Sequence, residues 1–300
     1  MNSKLDVDAF KWIAHSYALR LVRIKGIVEN IDPLRVGAGR AITLHEPTDL
    51  VVVKVYDPKK DAYVPLIPGS SWKGLFRASA VKLLRTYGIV TVCDGVPRAS
   101  CLRGNEFDNI ERSGGGFYDK LGMLVRGEIP CCLLCLMFGS PGLASHVTFF
   151  DSYPLSDVKL GYRTMIAIDR RTGATTRGAL FTVEYIEPGA NFSFEVDLFN
   201  MPNYCIGIIS QIIMDIHNGI IRVGGLKSRG FGTVMFKELK FEVIIPKEVE
   251  SKGELPPLDP YDTPVKLEED GFEQLKNFIE AWNKVRDKLK EISERRWRWI

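Results

Sequence analysis

The chain is short of several things. It holds two glutamines, Gln211 and Gln274, and four histidines, and it has no apolar run long enough to span a membrane. Scarce glutamine beside abundant Lys, Arg and Glu leans toward a thermophilic source. Four scattered histidines leave little material for imidazole acid–base catalysis. Met1-Asn2-Ser3-Lys4 leads into charge rather than an apolar stretch, which argues against a signal peptide and for a cytoplasmic protein. Net charge is only +3, so any basic surface must be local, built by particular loops. Six cysteines in 300 residues do not make a secreted disulfide scaffold. The remaining composition, 45% hydrophobic and 26% charged, is that of a soluble globular protein with a sizeable core.

Periodicity predicts a half-buried strand over 19–29, a buried strand over 50–55, and a helix over 72–86 with serines placed to cap it. Residues 88–145 read as an irregular insertion rich in Gly and Cys. A short strand over 147–150 precedes a polar, loop-like stretch at about 157–180. Strands over 179–183 and 192–198, a helix over 204–217, a basic glycine-rich loop over 219–232 and a strand over 233–245 follow. Without its insertions the order is strand, helix, strand, strand, helix, strand. That order predicts an α+β, ferredoxin-like (RRM-like) domain over 1–245, an antiparallel sheet with two helices on one face. Residues 246–266 are proline-rich and read as a linker. Residues 267–300 read as an amphipathic helix whose closing Arg-Trp run packs on this domain or a neighbour, or frays in solvent.

Two glycine-rich basic elements carry the chemistry. Ile67-Pro68-Gly69-Ser70-Ser71-Trp72-Lys73-Gly74-Leu75-Phe76-Arg77 puts small polar residues at a helix N-terminus, where free N–H groups and the helix dipole favour an anion. Lys73 and Arg77 are four apart, on a face away from Trp72 and Phe76, and are placed to address a phosphate. A well-capped helix with two solvated charges reads equally well, and the spacing of a nucleotide-binding P-loop is missing. Gly224-Gly225-Leu226-Lys227-Ser228-Arg229-Gly230-Phe231-Gly232 has four glycines in nine residues, which let backbone approach a ligand, and Lys227 and Arg229 to supply charge. Its plainer reading is a tight connection.

Together the two elements resemble the RAMP superfamily of CRISPR-associated proteins over roughly residues 20–245. The resemblance implies guide-RNA backbone contacts by Ser70, Ser71, Lys73, Arg77, Gly225, Lys227, Ser228 and Arg229. Cys132-x-x-Cys135-Leu136-Met137-Phe138-Gly139-Ser140 is similar to a segment of the repeating backbone subunits of type III effector complexes. Ile168-Asp169-Arg170-Arg171-Thr172-Gly173, with Leu180-Phe181 and Glu184, looks like their thumb, which wedges into the guide–target duplex and brings in Arg170 and Arg171; a surface loop is the plain alternative. The implied partners are guide RNA, complementary target RNA, and copies of the chain or homologous subunits in a filament-like complex.

In such subunits one Asp, after a Leu-x-x-Gly-Gly element, is tied to metal-dependent cutting of target RNA. Leu34-Arg35-Val36-Gly37-Ala38 and then Thr48-Asp49-Leu50 match that pattern with one glycine replaced, which makes Asp49 the expected catalytic residue. A carboxylate can hold Mg or Mn against a scissile phosphate, with RNA oxygens or a neighbouring subunit completing the site. His45 and Glu46 are near in sequence, and Asp32 is better explained as a turn residue before Pro33. Cys132-x-x-Cys135 has the spacing of two zinc ligands, and Cys93 with Cys101 would supply the other pair for a structural zinc. Cys131 or His146 are alternates; buried apolar thiols or a disulfide are the competing readings. Two other functions stay open. One is a non-catalytic RNA-binding assembly subunit. The other is a metal-independent guide-processing ribonuclease using His15 or His45 as base.

Overall fold

Strand β1 (Leu21–Asn30) turns Val22, Ile24 and Val28 inward, the period of two that a half-buried strand requires. The computed structural model describes residues 7–40, 50–58, 60–96, 100–101, 117–129, 131–244 and 253–300. After β1 come the short strands β2 (Gly37–Arg40) and β3 (Leu50–Val52), a hairpin of β4 (Lys54–Asp57) and β5 (Ala62–Pro65), and helix α1 (Gly69–Thr86). Helices α2 (Phe117–Val125) and α3 (Leu133–Phe138) precede β6 (Val147–Phe149), β7 (Leu160–Ile168), β8 (Thr175–Ile186) and β9 (Asn191–Phe199). Helix α4 (Asn203–His217), β10 (Val234–Ile244), the two-residue strands β11 (Glu254–Leu255) and β12 (Val265–Lys266), and helix α5 (Gly271–Glu294) complete the chain.

The main sheet runs β10-β1-β9-β6, antiparallel throughout, and α1 and α4 pack against it and each other. This is the ferredoxin-like order that the sequence predicts. Helix α4 is apolar on every side because a second layer covers it. Helix α5 lies across it and buries Leu275, Phe278, Trp282, Val285, Leu289 and Ile292. The two helices meet so closely at Gly207 that a Cβ there would fall 2.2 Å from the Phe278 carbonyl oxygen. A second sheet, β2-β3-β8-β7, is tied to the exit of β1 by the reciprocal pair Leu34 and Ile186. No helix among the described residues is long and apolar enough to cross a membrane.

Several expectations need correction. The stretch 50–55 is not one buried strand: it breaks at Val53, β3 joining the second sheet and β4 a half-exposed hairpin. The serines do not cap α1. Its N-cap is Pro68, Ser70 and Ser71 lie inside the first turn, and the Asp151 carboxylate accepts the Gly69 N–H (2.7 Å). Most of the stretch 157–180 is not a loop: with the strand expected over 179–183 it forms the long β7–β8 hairpin, whose polar, β-branched sequence hides the alternation of strands with one wet face. The described part of the insertion is well packed, every residue of α3 being buried. Residues 253–266 are no free linker, since Leu255 and Val265 are buried in the core. The terminal tryptophans do not fray either. Trp297 and Trp299 are buried, and Trp299 packs edge-on against Trp12.

A buried polar network holds that C-terminal segment. Arg20 donates to Met201 O and to Asn203 Oδ1 (2.8 Å) and sits 3.9 Å from Asp262; Asp262 accepts the Asn203 and Leu258 N–H groups, and Asp259 accepts the Tyr204 hydroxyl (2.7 Å). Burial pushes the Asp259 carboxyl up to about 7. The folded chain therefore keeps a proton that the unfolded chain releases near pH 4. The stabilisation is complete below about pH 4 and is lost as pH rises through about 7, a loss of up to roughly 4 kcal/mol. Asp259→Asn keeps the shape and removes the ionisation. It should match wild type in thermal melts near pH 4 and melt progressively higher than wild type from pH 5 to pH 8; a constant difference in Tm across that range would contradict the assignment.

Candidate nucleic-acid interface and cysteine cluster

The two glycine-rich elements, some 150 residues apart in sequence, face each other across one cleft of about 690 Å³. Ser70, Ser71 and Gly74 of α1 form one wall, and Gly224, Gly225 and Lys227 the other; Arg35, Val36, Gly37 and Leu50 close the end. The second wall is held by backbone. Gly225 N–H donates to Arg35 O (2.7 Å) and Gly232 N–H to Pro33 O (3.0 Å). Gly224 has φ +79, and a Cβ there would fall 2.3 Å from Arg35 O, so no other residue fits without moving the loop. Past it, Lys227–Arg229 makes a single 3-10 turn flanked by left-handed Leu226 and Gly230.

Because Asp151 takes the Gly69 N–H, an anion at α1 is left to the Ser70 and Ser71 region and to nearby cations. Lys73 opens not on the main cleft but on a smaller one of about 210 Å³, which shares Ser70. Partial burial lowers its pKa, and Arg77 adds repulsion. Lys227 is likewise lowered by partial burial first and by Lys82 second. Arg77 departs from expectation. It turns away from the cleft, donates to Gly139 O (2.7 Å) and lies against the Cys135 and Cys93 sulfurs.

Arg35 is the residue that sequence reasoning missed. Burial lowers its pKa, its Nε is buried without a hydrogen-bond partner, and no acid pairs with it among the described residues. Its signal was available: it stands inside the Leu34-Arg35-Val36-Gly37 element. Lys82 and Arg222 were also missed. They line a neighbouring cleft of about 510 Å³ that shares Leu75, Ala78 and Lys227 with the first.

The β7–β8 hairpin is docked on the glycine-rich loop by cation–π contacts, Arg229 over Phe181 (6.0 Å) and Arg163 over Phe231 (5.1 Å); Arg163 also lies over Tyr185 within the hairpin (5.4 Å). Ser228 is exposed in the turn between Lys227 and Arg229. Arg170 and Arg171 are exposed at the hairpin turn, where the Asp169 carboxylate accepts the Arg171 N–H (2.7 Å). Exposed Ile166, Ile168 and Leu180 lie just below them. Glu184, buried on β8, accepts Val52 N–H (3.0 Å) and pairs with Lys54 (2.6 Å), which fixes β3 and with it Leu50 at the cleft. Asp49, His45 and Glu46 lie outside the described residues. His15 stacks on His146 with ring centroids 4.1 Å apart and is not part of the cleft.

Cys93, Cys101, Cys132 and Cys135, called together from the sequence, do converge: their sulfurs all lie within 4.8 Å of one another. A tetrahedral ion with metal–sulfur bonds of about 2.3 Å needs sulfurs about 3.8 Å apart, and the donor set fits it. Cys93 Sγ lies 3.8 Å from Cys132 Sγ and 3.1 Å from Cys135 Sγ, and all six cysteines are free thiols. Hydrogen bonds within the cluster, from Cys101 first, lower the Cys93 thiol to about 6 and hold Cys135 below the ordinary thiol range. Neither alternate ligand belongs to that set: the mutually close donors are the four sulfurs named, and His146 is engaged by the Phe199 and Ile13 carbonyls.

No curated protein matches the chain significantly. The family profile of the RAMP superfamily matches residues 28–235, more than two thirds of the chain, from β1 to the start of β10 and across both walls of the cleft. The chain belongs to the RAMP superfamily, a family of CRISPR-associated RNA-binding proteins.

Proposed function

We propose that the chain is a backbone subunit of a type III CRISPR ribonucleoprotein that grips guide RNA by its phosphates. The convergence of Ser70, Ser71, Gly225, Lys227 and Arg35 on one cleft carries this reading, because it combines hydroxyl donors with cations that lack acidic partners among the described residues. Phosphate contacts of this kind hold a strand without reading its bases. The β7–β8 hairpin, with Arg170 and Arg171 at its tip above exposed Ile166, Ile168 and Leu180, suits a thumb that separates guide–target base pairs where neighbouring copies of the chain meet. Ser228 and Arg229, exposed between cleft and hairpin, would carry the strand from one to the other.

The reading extends to cutting of target RNA at Asp49. Its support is positional: Leu50, the next residue, lines the cleft, and β3 is fixed there by Glu184. Bound Mg or Mn would supply charge stabilisation at the scissile phosphate. For the chain, the task of Asp49 is to hold that ion with its carboxylate. The four-cysteine cluster is assigned a structural zinc, held by Cys93, Cys101, Cys132 and Cys135 and remote from the cutting step.

Arg35→Ala and Lys227→Ala should each weaken binding of single-stranded RNA in a way that does not depend on sequence. Each should also lower the slope of log affinity against log salt by about 0.7, the value for one phosphate contact. Filter binding at several salt concentrations measures this, and RNA binding unaltered in the double variant would refute the cleft. In the assembled complex with manganese, Asp49→Ala should abolish target cleavage while leaving guide binding within about twofold. Full cleavage by that variant would move catalysis to another residue and leave the chain an assembly subunit.

A further inference from the structure

Arg77 sits where helix α1 meets the cysteine cluster. Its Nη2 donates to the Cys135 sulfur (3.4 Å) and lies 3.8 Å from the Cys93 sulfur, while Nη1 donates to Gly139 O (2.7 Å). Its Nε is buried with no partner, and the guanidinium is pressed on Gly95, where a Cβ would fall 2.1 Å from it. Gly139 terminates α3, the helix that carries Cys135, and Gly95 follows Cys93 by two residues. A single side chain thus joins α1 to both segments that bring in cysteines.

Charge gives this contact a purpose. Four thiolates around a divalent ion carry a net charge of about −2, and metal-bound thiolates are held in place by outer hydrogen-bond donors. Among the described residues, Arg77 is the cation whose donors reach the cluster sulfurs. A guanidinium suits the position because its planar fork holds N–H groups in fixed directions toward two sulfurs and a carbonyl, where an ammonium is a compact charge on a flexible stem.

We propose that Arg77 is the outer-sphere cation of the four-cysteine metal centre rather than an RNA ligand, donating to Cys135 and Cys93 and locking α1, with its phosphate cleft, to the metal-bearing segments. This rests on the zinc assignment. As a positioning residue Arg77 orders the thiolates and partly neutralises them; binding of the ion releases the thiol protons to solvent, and no electron moves.

The test uses the full chain, stripped of metal and titrated with Co(II) and with Zn(II) against a chromophoric chelator. Wild type should bind one ion per chain with thiolate-to-cobalt charge-transfer bands. Arg77→Met should bind 10- to 100-fold more weakly with shifted bands. Arg77→Lys, which retains the charge and guards against misfolding of the first variant, should recover part of the loss. Both variants should keep the wild-type salt slope of RNA binding, unlike Lys227→Ala. Metal affinity and bands equal to wild type in both variants would overturn the proposal, and so would a salt slope lowered by one phosphate contact. If wild type binds neither ion, the zinc assignment fails and this inference with it. If wild type binds metal and the variants do so equally well, only the role of Arg77 falls.

Discussion

The rotation of α1 about its own axis is the constraint on which the rest depends, and Trp72 sets it. The indole is buried, meets Phe194 edge-on at 5.3 Å and lies near Phe236, while its Nε1 donates to Ser152 Oγ (2.8 Å). Phe76, one turn on, seats against Phe149. With 100° between successive residues, fixing these two fixes every other face. Ser71, Gly74 and Ala78 then border the main cleft, Lys73 the small one beside β6, and Arg77 the cysteines. A slip of one residue would expose the indole and bury an ammonium, each worth several kcal/mol. The helix is therefore a rigid part whose three faces meet the core, the two clefts and the cysteine cluster.

The opposite wall reaches comparable rigidity by a different route. Its residues are too small and polar to be held by packing, so backbone hydrogen bonds to Pro33 and Arg35 and the close approach at Gly224 hold it instead. The hairpin then leans on that wall through Arg163 and Arg229. Such a site loses little conformational freedom on binding, which is where backbone-only recognition would otherwise be weakened.

These two ways of building explain what could be read from the sequence. The ferredoxin-like order was legible because β1, β9, α1 and α4 each carry apolar residues at the right period. The cysteine set was legible because Cys132-x-x-Cys135 has the spacing of a ligand pair on its own. The direction of Arg77 was not: spacing places it with Lys73, and only the tertiary position of Cys93 and Cys135 pulls the guanidinium away. The cap of α1 escaped for a similar reason, since Asp151 reaches it from 82 residues further along the chain. The hairpin was mistaken for a loop because a strand exposed on one side and rich in Thr, Arg and Gly loses its period. The buried network of Arg20, Asn203, Asp259 and Asp262 looks in sequence like ordinary turn chemistry before prolines.

The distribution of ion pairs resolves the tension between a net charge of +3 and a polyanionic ligand. Several cations away from the cleft are matched: Arg23 with Asp197, Lys25 with Glu242, Lys237 with Glu29. Around the clefts, Arg35, Lys73, Lys82, Arg222 and Lys227 take no carboxylate among the described residues, and Lys82 lowers the pKa of Lys227 by repulsion. Of these, Arg35, Lys73 and Arg222 are partly buried, and burial lowers the pKa of Arg35 and Lys73, a cost that an external anion would offset. In the proposed reading, a phosphate chain would supply that charge at regular intervals along the groove. A near-neutral total is compatible with that, because attraction is set by the local field of unpaired charges and not by the sum over the chain.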